Sequence, residues 1–406
     1  MGKLIKPRDA KETAEGIAWA AADKVALEIV GAGTKRNLGR PVAADHVLDL
    51  SALAGVRDYE PAELVLTAGT GTKIAEIESM LTAANQELAF EPPDWGPIWG
   101  AEAGEATLGG IIACNLSGPR RIKSGAARDH LLGVAAVSGR GEIFKAGGRV
   151  VKNVTGYDLC KLLAGSYGTL AALTEVSVKV LPRPEKLRSV LVFGLNAEKA
   201  VAAMATALNS PNDVSGAAYL PRPIAGVTGV ARVVDPGTSV VALRVEGTEA
   251  STLARNDALR ELLAPFGAIE ELHGMNSSRF WRGIRDATYF VAGENMIWRI
   301  SVPPAQGAAV ALSLADSLEA YFYLDWGGGL IWLSAPEKAD AGAPTIRAAI
   351  AGCGGHATLI RASAAVREAV PVFEPQEPAL AALSRRVKDA FDPLHILNPG
   401  RMVADR

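Results

Sequence analysis

The chain has 406 residues, enough for two or three domains and a sizeable core. Its 42 Lys and Arg against 44 Asp and Glu leave a formal net charge of −2, which excludes the basic excess of a nucleic-acid-binding protein. Three cysteines (Cys114, Cys160, Cys353) lie far apart with no C-x-x-C pair, which argues for a reducing compartment and against a disulfide framework or an iron–sulfur site.

The first 16 residues carry charges throughout and no apolar core, so no signal peptide is expected, and Lys6 breaks the myristoylation pattern that Met-Gly would start. No apolar run nears the roughly 18 residues of a membrane span. A helix is predicted from about Asp9, a plausible cap, with Ile17, Ala20 and Ala21 on one side. "VALEIV" predicts a strand that stops at Gly31-Ala32-Gly33-Thr34-Lys35-Arg36, and "DHVLDLSAL" a second short strand ending near Asp49. "ELVLTAGTGTKIAEIESMLTAANQEL" predicts strand, turn and amphipathic helix. Pro92 to about Gly148 is glycine-rich with few strong helix signals, and within it "LLGVAAVSGRGEIFKAGG" predicts a hairpin about Ser138-Gly139-Arg140-Gly141. "DLCKLLAGSYG" predicts a short helix, and "TLAALTEVSVKVLPRP" a strand closed by Pro182 and Pro184, a natural domain boundary. From about 186 to 355 strands alternate with helices in the manner of an α+β domain with an antiparallel sheet. "ALAALSRRVKDAFDPLHILNPGRM" predicts a helix and then an extended tail.

The glycine loop after the first strand invites the dinucleotide fingerprint G-x-G-x-x-G. Gly31 and Gly33 fit, and Asp49 sits near the expected acidic position, but Arg36 replaces the third glycine. The segment from Lys35 to Val47 holds Gly39 and Pro41 and is too short for a crossover helix, so the βαβ unit is excluded. A Walker A loop fails for want of G-K-[ST]. What remains is a run of backbone N–H groups that a phosphate can approach where a Cβ would clash, with Thr34 adding a hydroxyl and Lys35 or Arg36 adding charge. An ordinary glycine-rich turn explains the loop alone equally well.

The motifs downstream separate these readings. Thr107-Leu108-Gly109-Gly110 with Asn115, Arg128-Asp129, Lys152-Asn153-Val154-Thr155-Gly156-Tyr157-Asp158-Leu159, Gly165-Ser166-x-Gly168-Thr169-Leu170 and Asn398-Pro399-Gly400-Arg401 follow in order. With the glycine loop they resemble the FAD-binding domain of the vanillyl-alcohol oxidase and p-cresol methylhydroxylase superfamily, most closely its glycolate oxidase group. The resemblance implies an α+β chain: a two-subdomain FAD-binding domain over 1–184, a cap domain with an antiparallel sheet over 185–380, and a C-terminal segment, 381–406, that returns to the first domain. It implies that the backbone of Gly31, Ala32, Gly33, Thr34, Lys35 and Arg36 takes the FAD diphosphate. Gly104, Thr107, Gly109, Gly110, Asn115 and Gly118, with Arg128 beside them, would line the flavin and ribityl. Glu175 and Val176 would meet the adenine side, and Asn398, Gly400 and Arg401 would return to the flavin. No histidine lies between Gly31 and Gly39, so FAD is expected to be non-covalent.

The second half departs from the oxidising members of the group. Those carry a paired-histidine strand for a divalent metal and a later E-H-G segment whose histidine is the base, so that metal and base act together on the substrate hydroxyl. Here Asp325 and Trp332 occupy the two histidine positions, and the later segment reads Gly355-His356-Ala357. None of the five histidines is paired at metal-ligand spacing, and no metal is expected. The pattern is similar to the FAD-binding E subunit family of glycolate oxidase. That resemblance implies a flavoprotein beside a catalytic flavoprotein subunit and an iron–sulfur subunit, serving a small 2-hydroxy acid as the complex's substrate. It implies a cytoplasmic protein, with any contact at the inner membrane made through its partners. The alternative is a self-sufficient, metal-free 2-hydroxy-acid oxidoreductase using Arg285, Arg299, His356 and Arg361. Phe280-Trp281-Arg282-Gly283-Ile284-Arg285 is similar to a family L-W-x-x-R segment, one residue longer. A scaffold that has lost FAD is the third reading, opposed by the intact loop and Asn398-Pro399-Gly400.

Overall fold

The computed structural model describes residues 2–148 and 156–404. The Lys152-Asn153-Val154-Thr155 part of the motif ahead of Tyr157 lies outside the described residues. Two compact units emerge: Met1–Ser117, Gly125–Arg183 and Pro371–Arg406 form one, and Gly118–Ser124 with Pro184–Val370 the other.

The first unit begins with helix Ala10–Asp23, capped by the Asp9 side chain accepting Glu12 N–H at 2.8 Å. Thr13, Ile17 and Ala20 fall on its buried face at helical spacing. Strand Leu27–Val30 follows and pairs in parallel with His46–Asp49, which pairs in parallel with Leu4–Ile5. The connection between the two longer strands contains turns and no helix, in line with the exclusion of a βαβ unit. Ile17, Leu27, Leu48, Val137 and Ala172 share one core with Ile396 and Leu397 from the end of the chain. The tail reaches it by running along the first long strand: Leu27 N–H donates to Ile396 O at 2.8 Å, and Asn398 N–H to Leu27 O at 2.9 Å.

A five-stranded antiparallel sheet completes this unit in the order Val56–Glu60, Val65–Gly69, Ala171–Lys179, Leu131–Ser138, Ile143–Gly147. Its inner strands are nearly continuous apolar runs because both faces are covered. The edge strand Ile143–Gly147 alternates exposed and half-buried residues. The predicted hairpin is there, with Gly141 at φ 74° in its turn.

The second unit is built on an eight-stranded sheet, antiparallel throughout. Its order is Ile269–His273, Lys186–Phe193, Val240–Gly247, Gly216–Leu220, Tyr321–Asp325, Leu330–Ala335, Met296–Ser301, His356–Arg361. Helix Ala197–Leu208, capped by Asn196, buries Ala200, Val201, Ala203, Met204 and Ala207 at helical spacing. Helix Gly274–Arg285 is held to strand Lys186–Phe193 where Trp281 Nε1–H donates to Ser189 Oγ at 2.8 Å. The short segment Gly118–Ser124 belongs here too: Arg120 makes a bidentate pair with Glu246, and Trp326 Nε1–H donates to the Gly118 carbonyl at 3.2 Å. No helix among the described residues is long and apolar enough to cross a membrane.

Candidate functional site

The first unit holds a cleft lined by residues from both ends of the chain. Its floor is the loop from Gly31 to Arg36, which leaves strand Leu27–Val30 where the apolar run ends. Gly33 turns the chain at φ 76°, a conformation glycine adopts without strain. The loop folds on itself through Arg36 N–H to Gly33 O at 3.1 Å and Leu38 N–H to Lys35 O at 3.0 Å. Among the described residues, none of the N–H groups of Ala32, Gly33, Thr34 or Lys35 donates to a backbone carbonyl. Thr34 and Lys35 are buried, Gly33 is half-buried and Ala32 exposed, so this run can offer its donors to an anion in the cleft.

The opposite wall comes from the turn into helix Leu108–Ala113. A Cβ on Gly31 would stand 2.5 Å from Thr107 Oγ1, so only glycine lets the loop approach this wall. A Cβ on Gly109 would meet Thr70 Cβ at 2.6 Å. Lys35 is buried and its ammonium donates to Thr34 Oγ1 at 3.3 Å. Desolvation lowers the Lys35 pKa, against an upward pull from Cys114 and Asp94. Arg36 points elsewhere, onto the Glu28 carboxylate, with Nε 3.0 Å from Oε1. The rear is closed by the chain end. Asn398 Oδ1 accepts Ile29 N–H, its Nδ2 donates to Tyr167 O, and Arg401 Nη2 donates to Lys35 O at 2.7 Å. Desolvation depresses Arg401 and pushes the Cys114 thiol up.

The cleft thus brings together Gly31 to Arg36, Thr107, Gly109, Gly110, Asn398 and Arg401. Other residues from the sequence reading stand apart from its lining. Gly104, at φ 86°, donates its N–H to Asp94 Oδ2 at 2.6 Å. Asn115 accepts Arg128 N–H at 3.0 Å through its side chain, tying two turns together. Gly118 lies in the second unit. Val176 is fully buried between Ala68 and Val134, beside Glu175 on the same strand, while Ala171 and Leu173 supply that strand's share of the cleft. Gly400, at φ 78°, forms the turn before Arg401. Cys114, Thr70, Tyr167 and Leu173 line the cleft without having been assigned to a cofactor in sequence; tertiary packing brings them there.

In the second unit, Arg299, Trp332 and Tyr323 form one cross-strand row, with the Tyr323 and Trp332 rings stacked at 6.2 Å. Asp325 pairs with Leu330 one row on, so positions 325 and 332 share a sheet face. Asp325 accepts Trp326 N–H at 2.7 Å, and Arg121 and Arg299 lie over the Trp326 ring at 4.3 and 4.8 Å. Burial pushes the Tyr323 hydroxyl well up, and that hydroxyl donates to Ile284 O at 3.1 Å. Arg285 is paired with Asp286 at 2.8 Å. Arg361 donates to the carbonyls of Asn295 and Val291 at 2.8 and 3.1 Å, which makes it a tether for that loop. His356 is exposed at the start of the edge strand, opposite Ser301. No group of three His, Cys, Asp or Glu side chains able to hold a metal occurs among the described residues.

Comparison with known proteins places these features. The FAD binding domain family matches residues 2–147, the stretch that contains the loop and its facing wall. Over 392 residues, 96% of each chain, this chain is 36% identical to the glycolate oxidase subunit GlcE of Escherichia coli (strain K12). It belongs to the GlcE family. A shorter likeness, 30% over 198 residues, covers 48% of this chain and 40% of the glycolate oxidase subunit GlcD of Bacillus subtilis (strain 168). The crystal structure of p-cresol methylhydroxylase superposes with a TM-score of 0.74 over 99% of this chain and 88% of that one; at 13% identity the likeness is one of fold. The GlcE family membership makes this an FAD-linked oxidoreductase subunit, and the fold class is the one the sequence motifs implied.

Proposed function

We propose that this chain is the FAD-binding subunit of a glycolate oxidase and that it works beside a separate catalytic flavoprotein subunit. The carrying observation is its identity to GlcE along nearly the whole of both chains. The cleft fits the cofactor by the chemistry of its donors: backbone N–H groups of Ala32 to Lys35, a buried ammonium and a buried guanidinium suit a diphosphate. Thr107, Gly109 and Gly110 would hold the part of FAD lying against the facing wall. Bound FAD supplies a two-electron acceptor. The want of a histidine in the loop supports non-covalent attachment.

The division of labour is supported by the second unit. Oxidising a 2-hydroxy acid calls for a proton acceptor and for positive charge beside the developing alkoxide. The sheet face that would carry metal ligands at positions 325 and 332 presents a carboxylate and an indole. Burial pushes the Tyr323 hydroxyl well up, and Arg361 is tied to two backbone carbonyls. A GlcD-like flavoprotein would then oxidise glycolate, and an iron–sulfur subunit would carry electrons onward, with any membrane contact of the cytoplasmic complex made through these partners. One observation favours the self-sufficient alternative: Arg299 lies on that same face in a row with Trp332, a place where a guanidinium could take a substrate carboxylate.

The test is spectroscopic. The purified chain is expected to be yellow and to release all its flavin into the supernatant on denaturation. Anaerobic glycolate is expected to leave its flavin oxidised when the chain is alone and to reduce it once the partner subunits are added. Rapid bleaching of the isolated chain would overturn the division of labour and favour the self-sufficient reading.

A further inference from the structure

Two cations from opposite ends of the chain meet in the cleft. Lys35 is 7% exposed, and its contact with Thr34 Oγ1 is a weak one for an ammonium. Arg401 is 6% exposed; Nη2 donates to Lys35 O, while Nε and Nη1 make no hydrogen bond. The carboxylate nearest to Arg401, Glu28, is 3.8 Å away and is already engaged by Arg36. Asp94 lies on the Lys35 side and accepts the Gly104 N–H, and the Cys114 thiol, pushed up by burial, lines the same cleft. Lys35, Arg36 and Arg401 against Glu28 and Asp94 leave a formal surplus of one positive charge around the loop.

Burying an ammonium without a counter-ion is costly. A diester diphosphate carries two negative charges, one for each of the two buried cations that line the cleft. We infer that Lys35 and Arg401 form a two-cation receptor for the diphosphate and set the preference for FAD over phosphate-free flavin, at the expense of the flavin-free protein's own stability. Arg36 stands outside the receptor because Glu28 neutralises it. The inference rests on the flavoprotein reading and adds to it which side chains read the anion.

The experiment titrates flavin-free protein, prepared from the purified full chain, with FAD, ADP-ribose (the same diphosphate diester without the flavin) and riboflavin. Wild type is expected to bind FAD well above riboflavin. Lys35→Met is expected to weaken FAD and ADP-ribose about ten- to hundred-fold and riboflavin by less than about threefold. Arg401→Gln should move the three ligands in the same pattern, and Arg36→Gln should cost FAD less than Lys35→Met does. Lys35→Met should also raise the melting temperature of the flavin-free form, which a packing role would lower. Parallel loss of riboflavin, unchanged FAD affinity, or a lower flavin-free melting temperature overturns the receptor. Wild type that binds neither FAD nor ADP-ribose overturns the flavoprotein reading itself.

Discussion

Asn398 accepts the Ile29 N–H at 2.8 Å, so the end of the chain fixes the strand that feeds the glycine loop. The same amide donates to Tyr167 O at 2.8 Å, and Gly168 leaves room for it, since a Cβ there would stand 2.8 Å from Nδ2. Asn398 is thus a clamp with both ends occupied, and its φ of 45° suits Asn or Asp. Asn398→Asp keeps the acceptor but sets a carboxylate oxygen against the Tyr167 carbonyl. The expected loss is about 1–3 kcal/mol of unfolding free energy, read by denaturant titration. Faster release of flavin should accompany it; unchanged stability would remove the clamp.

The loop itself is most exposed to change at Gly33. Its φ of 76° is the left-handed region that glycine adopts most readily, and an aspartate there adds a Cβ and a negative charge to the loop proposed to hold an anion. Gly33→Asp should purify without the flavin absorbance bands while keeping its far-ultraviolet spectrum. Stoichiometric flavin in that variant would refute the loop assignment.

A pH dependence follows from Lys35. Desolvation lowers its pKa in the flavin-free protein below the ordinary 10.5, with Cys114 and Asp94 pulling it back. In that interval the unfolded chain binds the extra proton, so flavin-free stability rises with pH between the lowered value and 10.5. FAD affinity falls over the same interval, because the anion favours the ammonium. Lys388 is depressed as well, so the reference is Lys35→Met, in which the Lys35 share of both trends should vanish. Calorimetry in buffers of different ionisation enthalpy should show proton uptake on FAD binding at alkaline pH, smaller in the variant.

Much of this was legible in the sequence, and the rest was hidden for identifiable reasons. Glycines straight after an apolar run mark the loop, because backbone conformation is a local property. The fold class was legible because several local motifs agree in order. Burial is not local: Lys35 and Arg36 are adjacent and chemically alike in sequence, yet one is buried in the cleft and the other is neutralised by Glu28 on its rim. Cys114 and Leu173 enter the cleft through packing that no spacing announces. The run Gly118–Ser124 looks like a loop and packs with the second unit because Arg120 finds Glu246, a partner 126 positions away.

Asp325 tests the claim that the family's metal position is lost here. Its carboxylate caps the turn at Trp326, and the same-face position is Trp332, which cannot ligate. Asp325→Ala should cost about 1 kcal/mol for the lost cap and leave the divalent-metal content of the purified protein where it was. A fall in bound metal, measured by elemental analysis, would restore a metal role to this hairpin.

Lys388 offers the sharpest test of how the chain end is held. It is the one buried residue described in helix Pro378–Phe391, and its ammonium donates to Thr169 O at 2.6 Å, Leu397 O at 3.1 Å and Asp392 Oδ2 at 2.5 Å. The fully buried Asp392 in turn accepts the N–H groups of Ile396 and Leu397, at 3.1 and 2.8 Å. Every polar group here is satisfied only while both charges are present. Lys388→Met strands a carboxylate in the core, and the expected cost is about 3–5 kcal/mol. Asp392→Asn turns an amide N–H toward a backbone N–H and leaves the buried Lys388 ammonium without its counter-ion, so it should also destabilise. Because residues 396–401 carry Asn398 and Arg401 to the cleft, both variants should shed flavin faster at temperatures where their far-ultraviolet spectra are still native. Flavin retention equal to wild type under those conditions would show that the buried pair supports the fold alone.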